Sequence, residues 1–381
     1  MIVPPLSLYV HLPWCVRKCP YCDFNSHTAN DATPRDRYID ALLADIDAES
    51  DRAKDRELMS VFLGGGTPSF FSPAHIARIV ERIADRFSLS PDIEITMEAN
   101  PGTVECGDPA GYRAAGVNRL SIGAQSFCED SLRVLGRIHS TSDIRRAVDS
   151  ARDAGFDNIN IDVMFGLPDQ GIDAALADIS AALDLQPQHF SWYQLTLEPN
   201  TVFYARPPNG LPDDDLAADI QRNGQALLAE RGFRQYEVSA YATGGHECRH
   251  NLNYWSFGDY LAAGAGAHGK LTEPDGIRRY TKPANPEGYM RAIESGGPLP
   301  AAPVLTRDEL LFEFMLNALR LADGFSENLF TERTGLGAEC LNRAASDSVD
   351  RGLIKRDDGG YWRPTPLGRQ FLNDLQAGFL S

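Results

Sequence analysis

Short β-rich runs alternate with helical segments along the first two thirds of the chain, and this alternation limits the possible folds most. The runs lie at residues 6–12, 58–63, 93–98, 119–124, 159–165, 190–197 and 235–240. In the first connecting segment, Tyr38, Leu42 and Ile46 share one helical face. Strands that alternate with helices in this way form parallel sheets. Six or so units predict an α/β fold with a partial (β/α)6 barrel, similar to a TIM barrel but not closed by eight strands.

The pattern changes near residue 300. Pro298, Pro300 and Pro303 predict a linker, and Thr306 with Glu309 predicts a capping box at the start of a helix. The chain that follows reads as helices, a β-ribbon and a last helix over 367–375, an order that resembles a winged-helix module.

We therefore divide the chain into three parts. Residues 1–240 form the barrel, residues 241–304 supply extra strands and the linker, and residues 305–381 form a mainly helical, winged-helix-like domain. The last part carries nine basic and twelve acidic residues. Because modules that bind DNA are normally basic, we interpret it as a structural cap or a docking module.

Composition excludes several classes of partner. The formal net charge of −17 repels nucleic acids and anionic lipids over most of the surface. No apolar run reaches the roughly 20 residues that span a bilayer, and the N-terminus does not read as a signal peptide. Seven cysteines, three of them within eight residues, argue against a disulfide framework. We expect a cytoplasmic protein without an integral membrane segment.

The strongest chemical signal is the spacing of Cys15, Cys19 and Cys22 directly after the first strand. Three thiolates on a short loop can hold three irons of a [4Fe–4S] cluster and leave the fourth iron open to a small ligand. Structural zinc is the alternative, and it requires a fourth ligand. His11 and His27 are the candidates for that role, so the spacing favours the cluster but leaves zinc open.

Polar residues follow the ends of several predicted strands. The sequence Gly-Gly-Gly-Thr-Pro at 64–68 closes the second run, where glycines allow either close approach of a ligand or a tight turn. Glu98, Gln125, Arg137 and Asp162 lie at or just beyond later strands. These side chains either converge on a site or form an internal polar network that supports the loops.

Together these motifs resemble those of the radical-SAM superfamily over about the first 240 residues. The order of motifs further resembles the oxygen-independent coproporphyrinogen III oxidase group over nearly the full chain. The resemblance implies a [4Fe–4S] cluster on the three cysteines and a bound S-adenosylmethionine. The residues it assigns to the cofactor site are Tyr9, Tyr21, Gly65, Gly66, Thr67, Glu98, Gln125, Arg137 and Asp162.

Within that group the chain is most similar to the HemW-type haem chaperones. The dehydrogenases of the group carry a further Cys where this chain has Phe24, and they carry a longer segment before the residue that corresponds to Tyr9. An HNxxYW motif at 250–255 also matches the chaperones, and the resemblance implies haem binding there. His250 would ligate the iron, and Tyr254 and Trp255 would pack on the porphyrin.

Other interpretations of the HNxxYW motif remain open. His246 and Cys248 are close enough in sequence to ligate the haem iron instead of His250, and His250 can equally be a loop histidine beside two core aromatic residues. We interpret the scattered Cys106, Cys128 and Cys340 as buried, inert thiols.

The resemblance implies a chaperone that binds haem and passes it to acceptor haem proteins of respiration, with a cluster that is linked to homodimer formation. On this interpretation the protein is a chaperone on an enzyme scaffold rather than an enzyme. The rival function is a coproporphyrinogen III dehydrogenase, in which a deoxyadenosyl radical takes hydrogen from the substrate's propionate side chains.

Overall fold

The computed structural model describes residues 2–53, 55–102, 107–296 and 302–380. The strands are β1 (Leu6–Leu12), β2 (Trp14–Cys15), β3 (His27–Thr28), β4 (Glu57–Gly65), β5 (Ser88–Ala99), β6 (Arg119–Gln125), β7 (Ile159–Phe165), β8 (His189–Gln194), β9 (Arg234–Glu237), β10 (Ala240–Ala242), β11 (Asp259–Ala263), β12 (His268–Glu273), β13 (Gly276–Thr281), β14 (Phe325–Ser326), β15 (Ile354–Arg356) and β16 (Tyr361–Pro364). The helices are α1 (Arg35–Ala53), α2 (Pro73–Arg86), α3 (Pro109–Ala114), α4 (Glu129–Val134), α5 (Thr141–Asp153), α6 (Ile172–Leu183), α7 (Val202–Ala205), α8 (Asp214–Glu230), α9 (Arg249–Trp255), α10 (Pro286–Glu294), α11 (Arg307–Ala318), α12 (Glu327–Thr334), α13 (Ala338–Asp350), α14 (Pro366–Gln370) and α15 (Leu372–Ala377), with a short 3-10 turn at Pro68–Phe70.

A large mixed sheet organises the barrel. Its strand order is β13, β12, β11, β1, β4, β5, β6, β7, β8, β10, β9, and the six neighbours from β1 to β8 in this order are all parallel. Helices α1, α2, α3, α5 and α6 lie in the connections between these strands. The predicted α/β class and the six-unit partial barrel are therefore confirmed.

Successive side chains of β1 point alternately to the helix-covered core and to the barrel interior. Leu8, Val10 and Leu12 are fully buried with the apolar face of α1, on which Tyr38 and Leu42 are also fully buried. Burying each such aliphatic side chain contributes about 1.5–3 kcal/mol. Because successive side chains point to opposite faces of a strand, the intervening Tyr9 and His11 face the interior instead. The predicted helical face of α1 is confirmed.

The two edges of the sheet differ from the sequence prediction. The run 235–240 does not add a seventh parallel strand, because the chain turns at Val238 and forms the antiparallel pair β9 and β10. Strand β10 continues antiparallel to β8. On the other side of β1, β11 pairs parallel to it, and the antiparallel β12 and β13 follow; all three lie in residues 241–304, where the sequence analysis expected extra strands without giving their bounds.

The region after residue 305 is mainly helical, as predicted. Thr306 and Glu309 form the predicted capping box at the start of α11. A small sheet in the order β14, β16, β15 supplies the β-ribbon, and the rings of Phe314, Phe325 and Phe330 pack together in a second core. The predicted last helix is instead two short helices, α14 and α15, because the backbone leaves helical geometry at Phe371.

Parts of two predictions lie outside the described residues, namely the linker prolines Pro298 and Pro300 and the thiol of Cys106. Of the other thiols predicted to be buried, Cys128 is exposed, because it occupies the surface position before α4, and Cys340 is half-buried. None of the described helices is both long enough and apolar enough to span a membrane.

Candidate functional site

The three clustered cysteines lie on a loop that leaves the end of the first parallel strand. Cys15 ends β2, which is anchored by a hydrogen bond from the Thr67 amide to the Trp14 carbonyl (2.8 Å). Lys18 Nζ donates to the carbonyls of Phe24 (3.1 Å) and Ser26 (3.2 Å), and these bonds close the loop around Cys19 and Cys22. The loop is thus attached to the barrel at Trp14 and is closed on itself by Lys18.

All three thiols line one cavity of about 450 Å³. Cys15 is buried and the other two are half-buried, and burial raises the pKa of the Cys22 thiol. Arg137 Nη1 donates to the sulfur of Cys19 at 3.4 Å, which places a positive charge where thiolates would need one. Soft sulfur donors around one cavity, with a cation beside them, fit an iron–sulfur cluster.

His11, which lies on the interior face of β1, is engaged in hydrogen bonds and is not free to serve as a fourth metal ligand. His11 Nδ1 bonds the hydroxyl of Tyr9 (3.0 Å), and its Nε2 bonds the carbonyl of Asn25 (2.9 Å). Burial lowers the pKa of His11 to about 4, so the ring is neutral and both nitrogens are occupied. His27 Nε2 lies 3.3 Å from the side-chain oxygen of Asn25. One of the two candidate fourth ligands for zinc, His11, therefore has both ring nitrogens engaged in hydrogen bonds.

Both interpretations of the glycine segment have a structural counterpart. Gly65 has φ +113°, and a Cβ there would lie 2.5 Å from the His11 ring; a Cβ on Gly66 would lie 2.7 Å from the Trp14 carbonyl oxygen. Close packing of β4 against β1 and β2 thus requires glycine at these positions. Gly65, Gly66 and Thr67 also line the cavity, so the same backbone faces a ligand.

The predicted polar side chains converge on this cavity. Glu98, Gln125, Arg137 and Asp162 all line it, as does Tyr21. Glu98 and Gln125 lie at the carboxyl ends of β5 and β6, where barrel enzymes place their sites, and Arg137 lies beyond β6. Asp162 lies in the middle of β7. The prediction that these residues lie together follows from strand order alone.

Three of these side chains are hydrogen-bonded to other groups that line or border the cavity. Glu98 Oε2 accepts the Gly65 amide (3.1 Å), Gln125 Oε1 accepts the Tyr193 hydroxyl (2.7 Å), and Arg137 Nη2 donates to Asn100 (2.6 Å). The network that was the alternative interpretation therefore exists within the site itself. Gln125 adopts a left-handed backbone (φ 71°), a strained conformation for a residue with a side chain.

Two carboxyl groups in the cavity have shifted acidities. Burial, and secondarily the charge of Asp162, raises the pKa of Glu98 to about 7. Burial also raises the pKa of Asp162, although Asn160 and Ser121 donate to it. A cationic ligand would stabilise both carboxylates and bring their pKa values down.

The HNxxYW motif forms helix α9, which has two differently placed faces. Asn251 and Trp255, four residues apart, line the cavity. His250 is buried 3.4 Å from Ser60 Oγ and packs on the ring of Phe62. Burial lowers its pKa to about 3.

Two other predicted side chains also lie off the cavity wall. Tyr254 packs against the rings of Trp255 and Tyr260, and Tyr9 stacks on Phe62 beside His250. The structure therefore brings Tyr21 and Trp255 to the cavity but not Tyr9, His250 or Tyr254. The roles of these residues stay predictions.

Sequence reasoning missed a carboxylate that holds this helix. Glu94 is buried and accepts the amides of Arg249 (3.1 Å) and His250 (3.3 Å) at the start of α9. It lies four residues before Glu98 on the same strand, and therefore on the same face. That spacing was visible in the sequence and could have identified Glu94.

Comparisons with known proteins agree with this geometry. Residues 9–179 match the radical SAM superfamily, and residues 305–371 match the HemN C-terminal domain. The chain is 47% identical to the "Heme chaperone HemW" of Escherichia coli strain K12, covering 100% of this chain and 99% of that protein. It is 34% identical to the protein of the same description from Bacillus subtilis, covering 98% and 99%.

Among solved structures, the coproporphyrinogen III oxidase of Escherichia coli, described as a radical SAM enzyme, superposes with a TM-score of 0.83. It covers 100% of this chain and 91% of that one, at 23% identity, and this likeness concerns the fold. The full-length identity to curated relatives is what defines the family: the chain belongs to the HemW family within the radical-SAM superfamily.

Proposed function

We propose that this protein is a haem chaperone, which binds haem and transfers it to acceptor haem proteins. The observation that carries the proposal is that one cavity is lined both by the three clustered cysteines and by Asn251 and Trp255 of the HNxxYW helix. Full-length relatives described as haem chaperones support the same function.

In this proposal Cys15, Cys19 and Cys22 ligate a [4Fe–4S] cluster, and S-adenosylmethionine occupies the space above it. When bound, these groups would supply one-electron chemistry and a link to the assembly state of the chain. The cationic parts of S-adenosylmethionine would face Glu98 and Asp162, which need positive charge to stay ionised. A reducing compartment such as the cytoplasm belongs to the proposal, because the thiols must stay reduced.

His250 remains the proposed axial ligand of the haem iron, with Tyr254 and Trp255 as its aromatic neighbours. A neutral imidazole ligates haem iron, and the low pKa of His250 keeps this ring neutral. Because the ring lies under Phe62 and beside Tyr9, ligation requires α9 to move out of its present position. Transfer to respiratory acceptors and a cluster-dependent homodimer complete the proposal.

The test is a haem titration of the anaerobically reconstituted protein, followed by Soret absorption, with coproporphyrinogen III as competitor. We expect stoichiometric haem binding that the competitor does not displace. Displacement by coproporphyrinogen III, or its conversion to protoporphyrinogen in the presence of reductant and S-adenosylmethionine, would instead support the dehydrogenase.

Two matched pairs of variants test the residues. His250→Ala should abolish the axial-ligand spectrum, whereas His246→Ala, four residues earlier and half-buried, should retain it. Likewise Cys19→Ala should lose the cluster absorption that Cys128→Ala, an exposed thiol outside the cavity, retains. Equal spectra within either pair would reject the corresponding assignment.

A further inference from the structure

A second and larger cleft lies between the barrel and the C-terminal region. Its volume is about 790 Å³, within the range of roughly 300–1,000 Å³ typical of small-molecule sites. Helix α8 and the β9–β10 turn form one wall, and the end of α11 with β15, β16 and α14 forms the other. Leu367, which is 46% exposed, and the half-buried Leu372 give it an apolar lining, whereas Leu319 is buried behind the wall.

The cleft is basic although the chain as a whole carries a net charge of −17. Its basic residues are Arg222, Arg320, Lys355, Arg363 and Arg369, against the two acidic residues Glu237 and Asp323. Both acidic groups already have cationic partners, since Glu237 pairs with Arg320 (3.1 Å) and Asp323 with Arg234 (2.8 Å). Arg222 pairs in turn with Asp219, outside the cleft. Among the described residues, Lys355 and Arg369 have no ion pair, and they give the cleft its excess of positive charge.

Two of these cations are placed against each other by the backbone. Lys355 of β15 lies directly opposite Arg363 of β16 in the antiparallel pairing. Like charges at opposed positions destabilise a sheet, and side chains at such positions share a face. Arg363 has a single loose ion pair, with Asp357 at 3.7 Å, and Lys355 has no ion-pair partner among the described residues. This arrangement is suited to an anion with two carboxylates.

The cleft borders the cavity of the cysteines. The buried side chain of Glu237 lines both spaces. Its partner Arg320 lines the cleft and stacks its guanidinium on the ring of Trp255, 4.3 Å from the centroid, on the wall of the first cavity. One ion pair and one indole therefore separate the cleft from the HNxxYW helix.

In the proposed function, the first cavity is assigned to the cluster and S-adenosylmethionine and borders the HNxxYW helix. Its volume of about 450 Å³ lies over the cysteines and is lined by the polar groups assigned to S-adenosylmethionine. A flat apolar ring with two propionates needs a space with apolar walls and cations. The 790 Å³ cleft has both.

We propose that the cleft between the barrel and the C-terminal region binds the porphyrin, with its propionates on Lys355 and Arg363 and its ring against Leu367 and Leu372. This inference rests on the proposed haem-chaperone function and gives that function a docking site. The described lining contains no His, Cys, Met or Tyr, so the site recognises the porphyrin dicarboxylate whether or not iron is present.

The experiment measures binding of metal-free protoporphyrin IX to the reconstituted full-length chain by fluorescence. The test variant is Lys355→Glu/Arg363→Glu, and the control is Arg291→Glu/Arg351→Glu. The control makes the same charge change at exposed arginines that line neither space. Because the altered side chains are exposed, both variants should fold, and circular dichroism verifies this.

We expect the test variant to bind protoporphyrin IX about tenfold more weakly or worse, and the control to bind like the wild type. The dimethyl ester, which lacks the carboxylates, should bind weakly and equally to all three proteins. His250→Ala should leave the affinity for metal-free protoporphyrin IX unchanged. If this variant loses that affinity, the porphyrin ring binds at the HNxxYW motif and the assignment to the cleft is wrong.

The outcomes separate the cleft from the function. Equal protoporphyrin IX affinity in wild type and test variant would overturn the cleft assignment while the chaperone proposal stands. Absence of binding of both haem and protoporphyrin IX to the wild type would reject the chaperone proposal and the cleft with it. If binding of a hexaglutamate peptide depends on Lys355 and Arg363 but binding of the porphyrin does not, the cleft binds an acidic protein segment and its assignment to haem is wrong.

Discussion

Removing the Glu94 carboxylate should release the start of the HNxxYW helix. In the structure this buried group accepts the amides of Arg249 and His250 and the Cys248 thiol, at distances from 3.1 to 3.5 Å. Loss of an acceptor at a helix N-terminus costs about 0.5–2 kcal/mol, and a buried donor left unsatisfied adds about 1–3 kcal/mol. We therefore expect Glu94→Ala to lower the free energy of unfolding by about 2–4 kcal/mol.

Chemical denaturation measures this free energy, and amide hydrogen exchange locates the change. The amides of Arg249 and His250 should exchange faster in Glu94→Ala than in the wild type. Glu94→Gln, which keeps one acceptor oxygen, should fall between the two.

Asp92→Ala is the matched control, because Asp92 lies on the same strand and pairs with the same helix residue. Its carboxylate is 2.9 Å from Arg249 but 73% exposed, and an exposed ion pair contributes about 0–1 kcal/mol. The reasoning is refuted if Glu94→Ala costs no more than Asp92→Ala, or if exchange at the start of α9 is unchanged.

Three further predictions concern the two cavities. Because the pKa of Glu98 is raised to about 7 in the folded apo-protein, Glu98 keeps a proton there that it releases in the unfolded chain. The unfolding free energy should therefore fall by on the order of 2 kcal/mol as the pH rises from about 4.5 to 7. Denaturation at several pH values measures this dependence, which Glu98→Gln should remove. Gly66→Ala should cost about 1–3 kcal/mol and reduce iron incorporation, because the new Cβ meets backbone atoms of Trp14, whereas Gly244→Ala, in an exposed turn with open space around it, should be neutral by both measures. Arg320→Ala should lower the free energy of unfolding by about 2 kcal/mol, because it removes the ion-pair partner of the buried Glu237. It should also change the fluorescence of Trp255, on which the guanidinium stacks, and an unchanged emission spectrum would contradict the stacking.

The sequence predicted the parallel strands well because each has a nearly continuous apolar run with a clear boundary. Strand β11 was expected only as one of the unlocated extra strands of residues 241–304, because it is five residues long and follows a short helix rather than a long amphipathic one. The reversal at Val238 joins two strands without an intervening Gly, Pro or Asn, so nothing local indicates a turn. The boundaries at residues 240 and 304 stay predictions.

The cavity could be predicted more fully than the HNxxYW helix. Residues at the carboxyl ends of parallel strands meet by topology, so Glu98 and Gln125 were placed together correctly. The orientation of α9 depends instead on tertiary partners in the barrel, which no local pattern encodes. That is why a motif identified as a unit separates into Trp255 at the cavity and His250 in the interior.

A chain of hydrogen bonds joins the cavity to the start of α9, and in each bond the donor lies on the side of α9 and the acceptor on the side of the cavity. Asn160 Nδ2 donates to Asp162 (2.7 Å), and its Oδ1 accepts from His189 Nδ1 (2.6 Å). Burial lowers the pKa of His189, so the ring is neutral and its Nε2 must accept from the Tyr236 hydroxyl (2.8 Å). The Tyr236 oxygen in turn accepts the amide of Cys248 (3.3 Å), the residue before α9. Every donor in this chain points towards Asp162. A ligand that binds this carboxylate in the cavity therefore affects the same series of hydrogen bonds that holds the start of the HNxxYW helix.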